Sequence, residues 1–348
     1  MKKTVVLIAA LMSCCLAYSQ EANSETSETY GEITVIPRLD LDANVAFGDK
    51  PYFDFGTSSL YTLFEGEFAE HFSFSVCNHW LSTDPGSLYK NTFHTDDLTW
   101  LDWATITGQF GNFFFTAGKD VLAVATSENW ANDYDSHYQM NTYLWNCLQT
   151  YQWGARAGWA STDGNSQAGI QFTTSPFGEK INSGLFTFTA FGNHDFENAS
   201  IMASATLIPT YFTGERLMLY ALSGSYSFGD VKPGLDVFYQ HTFSGKPNPD
   251  FPIESMSLRH FGAVASCEAQ FNEKLGMLGK VTYERIDAVN RFTAGAALYY
   301  YPISGSSDLR LHGMVAFNDG LVSDEPRETA TSLSFSIGAT YFLKLTVF

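Results

Sequence analysis

The chain has 348 residues, of which 37 are acidic and 19 are Lys or Arg, and its formal net charge of −18 argues against a nucleic-acid partner. Aromatic residues make up 16% and charged residues only 16%, with 28 Gly and 11 Pro, a mixture typical of strands with aromatic girdles joined by turns. Beyond the N-terminus no run of 18 apolar residues occurs, which argues against a membrane-spanning helix and leaves a closed barrel as the way to cross a bilayer.

The N-terminal residues 1–19 have the three parts of a signal peptide: two lysines, an apolar stretch, and small residues before Gln20. We therefore expect export across the inner membrane. The alternative is a lipobox that ends at Cys14, with a lipid on that cysteine. Residues 20–31 are polar and acidic and are predicted to form a periplasmic lead. Residues 32–348 are predicted to form one all-β transmembrane barrel domain.

Alternation of apolar and polar side chains predicts the strands. From residue 35 to residue 47 the period is two, with Leu39 and Leu41 on one face and Arg38 and Asp40 on the other. The pattern recurs and predicts about sixteen antiparallel strands, although fourteen or eighteen remain open if weak segments are misread or residues 142–160 are broken. The predicted strands are 35–47, 58–69, 72–82, 98–110, 113–120, 141–161, 167–175, 184–193, 199–209, 215–228, 232–243, 255–271, 275–287, 291–302, 308–318 and 329–348.

The connections between these strands alternate in length. Short ones such as Gly111-Asn112 and Gly229-Asp230 are rich in the residues of tight hairpin turns and are expected on the periplasmic side. Long ones such as 82–95 and 244–252 are expected on the extracellular side, as in membrane barrels. An even number of strands then places both termini in the periplasm.

The longest connection, residues 121–140, is the third long loop. Loops of this length in a compact architecture are usually functional, and in a sixteen-stranded barrel such a loop can fold inward and narrow the lumen. The alternative is a solvated external loop. The candidate constriction residues in this loop are Glu128, Trp130, Asp133, Tyr134, Asp135 and His137.

The last strand, residues 332–348, alternates apolar and polar side chains and ends on an aromatic residue. This ending is typical of proteins exported to the cell outer membrane and predicts that the assembly machinery recognises the strand. Phe348 falls on the parity opposite to Leu343 and Leu345, so a bulge near Phe342 is expected to restore the register.

If the apolar parity contacts lipid, the opposite parity lines the lumen. Charges of both signs occur there, and acids outnumber bases; the third long loop adds further acids, which predicts a weak preference for cations. The predicted pore-lining and constriction residues are Arg38, Asp40, Asp42, Glu128, Asp133, Asp135, Arg156, Asp236, Glu268, Lys280, Glu284 and Arg310.

Four segments together resemble the phosphate-selective porin O and P family: EITVIPRLDL at 32–41, LYTLFEGEFAEHFSFSV at 60–76, FFFTAGKD at 113–120 and YQWGARAGWA at 151–160. The resemblance implies a sixteen-stranded, homotrimeric, passive diffusion channel in the outer membrane, and it adds Lys119 to the pore residues. The chain departs from the family in one respect, because its basic residues are scattered and outnumbered rather than arranged as a ladder. Phosphate selectivity is therefore not expected.

No catalytic or metal-binding motif is present in the sequence. The eight histidines are dispersed, and neither G-x-S-x-G nor HExxH occurs. Cys77, Cys147 and Cys267 are far apart, which favours apolar packing over a disulfide framework or a thiol-bound metal. We expect no enzymatic activity and no cofactor.

The function expected from these observations is a water-filled channel through which small hydrophilic solutes and ions diffuse. Two alternatives remain. One is a channel biased toward a substrate such as phosphate, another anion or a sugar, for which Tyr134, Tyr239 and Tyr299 are the candidate aromatic track. The other is a surface interaction barrel that transports nothing.

Overall fold

The structure is a computed structural model that describes residues 30–47, 51–55, 58–82, 101–131, 136–177, 184–210, 215–244, 259–321 and 329–346. The predicted signal peptide and nearly all of the lead lie outside these residues. The strands form one antiparallel sheet. They are β1 (Tyr30–Ala46), β2 (Tyr52–Asp54), β3 (Ser59–Phe68), β4 (Phe72–Ser82), β5 (Leu101–Phe110), β6 (Phe113–Val121), β7 (Tyr151–Ala160), β8 (Ser166–Thr174), β9 (Phe186–Asp195), β10 (Ala199–Pro209), β11 (Arg216–Tyr226), β12 (Val231–Ser244), β13 (His260–Asn272), β14 (Leu275–Ile286), β15 (Val289–Tyr300), β16 (Leu309–Leu321), β17 (Thr329–Tyr341) and β18 (Leu343–Thr346).

The sheet closes on itself through β1. One edge of β1 pairs with β3, and its other edge pairs with β17 and β18. Because β17 and β18 are two parts of one strand and β2 is a three-residue piece beside the end of β1, sixteen strands make up the closed barrel. This confirms the predicted all-β barrel and its strand number.

The expected bulge near Phe342 is wrong. Phe342 separates β17 from β18, but the pairs with β1 keep one register on both sides of it. The partner strand has Pro37 at this point, which carries no N–H to donate, so the ladder is interrupted without a slip. Leu343 and Leu345 therefore stay on the outward face, and Phe342 packs beside an inward-facing apolar cluster.

The outward face of the barrel is apolar, as the alternation predicts. Leu39, Ile106, Ile170, Leu222 and Ile337 are exposed there on five different strands. Such a band suits contact with lipid acyl chains. No helix within the described residues is long and apolar enough to cross a membrane.

Tight turns join the strands at one end of the barrel. Gly111 and Gly229 have φ of 59° and 61°, a left-handed conformation that glycine adopts without strain. Most connections at the opposite end are longer, but β14 and β15 are joined there by only Asp287 and Ala288, and residues 301–308 form a longer connection at the first end.

The main error of the sequence-based prediction lies at residues 141–161. Only residues 151–160 form a strand, and Tyr143–Cys147 form helix α2. Thr142 caps this helix by accepting a hydrogen bond from Trp145 N at 3.1 Å, and a hydroxyl at this position favours a helix start. Upstream lie helix α1 (Ser127–Trp130) and a 3₁₀ turn (Tyr138–Met140).

Candidate pore and its inner loop

The connection between β6 and β7, residues 122–150, runs inside the barrel rather than over its surface. We name it the inner loop; its residues 132–135 lie outside the described part of the chain. The first part of the loop follows the barrel wall and bonds to β8, then β10, then β12. The three bonds run from Ala123 N to Gln171 Oε1 (2.8 Å), from Ala125 N to Ser204 Oγ (2.9 Å) and from Ser127 N to Asp236 Oδ2 (2.9 Å).

An apolar cluster fills the space between the inner loop and the wall at β10 to β12. The wall side chains point into the barrel, where a water-filled lumen would favour polar groups. Their burial is complete, since Leu217 and Leu219 have no exposed surface. This part of the lumen is therefore packed like a protein core. The cluster contains Leu122, Val124, Ala125, Leu144 and Leu148 of the loop, with Phe177, Ile208, Leu217, Leu219, Ala221 and Phe238.

Glu284 of β14 fixes the start of helix α2. Its carboxylate is fully buried and accepts hydrogen bonds from Tyr143 N at 2.8 Å and Leu144 N at 3.3 Å. Two wall side chains complete the arrangement: Arg291 donates at 2.6 Å and His260 lies 2.9 Å away. A negative group at the first amides of a helix is favourable, and Arg291 compensates its burial.

A second carboxylate, Glu128, comes from the inner loop itself. It is buried and forms an ion pair with Lys280 of β14. It also accepts hydrogen bonds from Thr142 N at 3.1 Å and from the Thr142 hydroxyl at 2.6 Å. Lys280 donates to Asn141 Oδ1 at 2.8 Å, so this pair ties two parts of the loop to the wall.

The inner loop reaches β1 and β16 on the far side of the barrel. Arg38 donates to Ser136 O at 2.9 Å and to the Asp40 carboxylate at 2.7 Å. Asp40 is also hydrogen-bonded to His312 of β16. Together with the bonds to β8, β10, β12 and β14, these contacts carry the loop along the inside of the barrel wall from β6 to β1.

His137 lies buried at this contact. Its ring is 5.3 Å from the His312 ring and 5.9 Å from the Tyr299 ring, measured between centroids. Burial lowers the pKa of His137 well below its ordinary value, and the nearby positive charge of Arg38 acts in the same direction. The imidazole is therefore neutral when the loop is docked.

The Asp120–Arg156 ion pair is more accessible to water than the buried pairs that contain Asp40 and Glu284. Arg156 Nε of β7 lies 3.2 Å from Asp120 Oδ2 of β6, and the side chains are 21% and 16% exposed. Those of Asp40 and Glu284 have no exposed surface. Asp120 Oδ1 also accepts a hydrogen bond from Val121 N at 2.8 Å, where the inner loop begins.

The other predicted pore residues are dispersed. Asp42 is inward-facing and buried, whereas Glu268 is exposed at the end of the barrel that carries the short turns. Lys119 lies on the outward parity of β6 and donates to the backbone oxygen of Leu101, so the register does not direct it into the lumen. Arg310 faces inward and lies over the Tyr299 ring at 5.2 Å.

Some predicted residues take no part in the described geometry. Asp133, Tyr134 and Asp135 lie outside the described residues. Tyr239, a candidate for the aromatic track, is exposed on the outward face of β12. Trp130 is exposed at the end of helix α1.

Sequence reasoning missed several residues that hold the loop. Arg291 bonds both Glu284 and Asn141 O, the latter at 3.1 Å. Its parity offered a signal, because Arg291 and Thr293 alternate with Phe292 at the start of β15. His260 and Asn141 offered none, since their partners lie more than 20 residues away along the chain.

Within the described residues, no three His, Cys, Asp or Glu side chains come together in a way that could hold a metal ion. The buried acids are instead engaged by Arg, Lys and backbone N–H groups. The chemistry that this arrangement supplies is fixed charge and hydrogen bonding inside a barrel.

No protein-family model matches the chain, and no curated protein matches it significantly in sequence. Solved structures do resemble it. OmpF of Salmonella typhi, in complex with daunomycin, has a TM-score of 0.61 at 11% identity and covers 89% of this chain and 97% of its own. The outer-membrane protein OmpT of Vibrio cholerae has a TM-score of 0.58 at 11% identity and covers 92% of this chain and 99% of its own.

The outer-membrane channel DcaP of Acinetobacter baumannii has a TM-score of 0.56 at 10% identity, with 92% of this chain and 99% of its own covered. One structure of Vibrio cholerae OmpT is a trimer form. Identities this low establish the fold alone. The fold is shared with outer-membrane porins and channels, which confirms the closed antiparallel β-barrel expected from the sequence.

Proposed function

We propose that this protein is an outer-membrane porin, a non-enzymatic channel through which small hydrophilic solutes and ions diffuse passively. The observation that carries the proposal is the inner loop, which crosses a closed sixteen-stranded barrel and bonds to inward-facing side chains on its far wall. Barrels of this size leave an aqueous lumen, and a loop held inside narrows it.

Water has access to the lumen from the end with short turns. Glu65 and Glu67 of β3 share the inward parity of Leu63, and both are exposed; Glu268 of β13 is exposed at the same end. Further along the barrel the inward side chains become buried against the inner loop. A wide vestibule that leads to a constriction would produce this decrease in the exposure of inward-facing side chains.

A weak cation preference follows from the charges around the inner loop. Among the described side chains that hold it, the carboxylates of Asp40, Glu128, Asp236 and Glu284 outnumber the permanent cations Arg38, Lys280 and Arg291 by one. Asp133 and Asp135 add negative charge to the same loop. A net negative lumen attracts cations.

Phosphate selectivity has little support. Arg38, Lys280 and Arg291 each pair with a carboxylate, and Lys119 is buried with its ammonium on the backbone oxygen of Leu101. A phosphate would have to displace these carboxylates to bind. A general channel therefore fits the described residues better than the phosphate-selective porins that the sequence resembles.

The proposed assembly is a homotrimer in outer-membrane lipid, inserted by the assembly machinery through its last strand. The trimer form of Vibrio cholerae OmpT, which shares the fold, supports this stoichiometry. Cross-linking of the detergent-extracted protein would give a trimer band. A monomer under native conditions would contradict it.

The test of the function is single-channel recording of the refolded protein in a planar bilayer under a salt gradient. We expect stepwise conductance and a reversal potential whose sign indicates a preference for cations. Added sugar or phosphate should not block the current. Block by one of these solutes would favour the substrate-biased channel instead. A heat-modifiable, folded barrel without conductance would favour a surface interaction role.

A further inference from the structure

Among the described residues, the ion pairs inside the barrel fall into two groups that differ in their access to water. The pairs that hold the inner loop are buried: in both Arg38–Asp40 and Arg291–Glu284 the side chains are at most 5% exposed. In Asp120–Arg156 they are 16% and 21% exposed. An ion in the lumen can approach the second kind of pair through water, but the first only through packed protein.

Arg156 lies between Gly154 and Gly158 on the inward face of β7. Across the ladder, Arg156 pairs with Thr116 of β6 on one side and with Gln171 of β8 on the other. Gln171 is occupied by the inner loop, to which it bonds at Ala123 N. The Arg156 side chain lies beside the loop and keeps 21% of its surface exposed.

The position of Asp120 is fixed by the loop start. Its Oδ1 accepts from Val121 N and its Oδ2 faces Arg156, so both oxygens are held. The carboxylate and the guanidinium consequently present opposite charges, side by side, where the inner loop leaves the wall. Cations are drawn to one side of such a pair and anions to the other.

We infer that Asp120 and Arg156 adjust the ion selectivity of the channel at close range, whereas the buried charges of Glu128, Glu284, Lys280 and Arg291 position the inner loop and contribute only to the net charge of the lumen. This inference rests on the proposed channel function and adds a specific ion pair to the net charge around the inner loop. It predicts that removal of either charge of the accessible pair shifts the ion preference, in opposite directions.

The size of the shift follows from Coulomb's law. A unit charge about 5 Å from the ion path, in water with about 0.1 M salt, changes the local cation and anion concentrations about twofold each in opposite senses. The ratio of cation to anion permeability should therefore change about fivefold for one charge.

The experiment measures reversal potentials in planar bilayers for wild type, Arg156→Gln, Asp120→Asn and Arg156→Lys. We expect Arg156→Gln to raise the cation-to-anion permeability ratio about fivefold and Asp120→Asn to lower it by a similar factor. Arg156→Lys keeps the charge and should stay close to wild type. The matched control is Arg285→Gln, which removes the same charge from an exposed side chain on the outward face of β14.

The outcomes separate the inference from the function on which it rests. If the wild type conducts but Arg156→Gln shifts the ratio no more than Arg285→Gln, the selectivity role is overturned and the channel stands. If the folded wild type does not conduct, both fail together. Circular dichroism and heat-modifiability establish that each variant has folded. Arg156→Lys shows whether the permeability ratio depends on the charge or on the shape of the side chain.

Discussion

Glu284 accepts a hydrogen bond from Tyr143 N at 2.8 Å, which joins β14 of the barrel wall to the first turn of a helix inside the lumen. The two residues are 141 positions apart in sequence. The position of the inner loop thus depends on a carboxylate that the strand pattern identifies only as inward-facing.

Glu284→Gln should detach this end of the inner loop. The substitution leaves the buried charge of Arg291 without its carboxylate, and loss of one partner of a buried pair costs about 3 kcal/mol of unfolding free energy. Urea unfolding of the protein in lipid vesicles, followed by tryptophan fluorescence, measures the change. Glu65→Gln, at an exposed inward position, is the control. Equal stability of the two variants would mean that Glu284 does not hold the loop.

Leu219→Ala tests the apolar cluster. Leu219 is fully buried between the inner loop and β11, so truncation leaves a cavity and should cost about 3 kcal/mol. Leu222, on the same strand, is 49% exposed on the outward face and provides a control with the same chemical change. The same unfolding assay applies. A larger loss for Leu222→Ala would contradict the assignment of the two faces.

Gly262→Ala tests the packing of Phe238. A Cβ on Gly262 would lie 2.1 Å from the Phe238 ring, and such overpacking should cost about 2 kcal/mol. Gly279→Ala is the matched control, because its Cβ would meet the nearest atom, Cys267 O, only at 4.0 Å. Phe238→Leu in the Gly262→Ala background should recover part of the loss. No recovery would show that the strain lies elsewhere.

Acid should loosen the inner loop where His137 meets the wall. Burial lowers the pKa of His137 in the docked loop, whereas an exposed histidine titrates near about 6.5. Protonation therefore favours the undocked loop, and docking weakens about tenfold for each pH unit below about 6.5. The groups that face His137 are Arg38, Asp40, Tyr299, Arg310 and His312.

Hydrogen exchange of the peptide that contains residues 136–141 measures this effect. After correction for intrinsic rates, we expect protection at about pH 5.5 to be roughly tenfold lower than at about pH 7.5. The His137→Gln variant should lose this pH dependence. His194→Gln, at the end of β9 away from the loop, should retain it. The same pH dependence in both variants would exclude His137 as the cause.

The barrel could be predicted because the alternation of apolar and polar side chains within each strand shows which face is outward and which is inward. In β1, Leu39 faces outward and Asp40 inward, and the period of two is visible without knowledge of any partner. In β11 both parities are apolar, because Leu219 packs under the inner loop while Leu222 faces outward. Periodicity cannot distinguish an apolar side chain packed under a loop from one that faces lipid. The apolar cluster in the lumen was therefore not predicted.

The loop itself was only partly predictable. Its length indicated a functional loop, but the exposure of each charge depends on partners from distant strands. Lys280 and Glu128 meet across the lumen, and Asp120 and Arg156 meet across one ladder. Nothing in the local sequence tells which of these pairs water can reach.

The contacts of the inner loop also constrain the order of assembly. Tyr143 cannot find Glu284, nor Ser136 find Arg38, until β14 and β1 have both joined the wall. Docking of the loop is therefore a late step, after most of the sheet has formed. A newly inserted barrel must pass through a stage whose lumen is wider than in the finished protein, and the interval before docking is when large solutes could leak through the membrane.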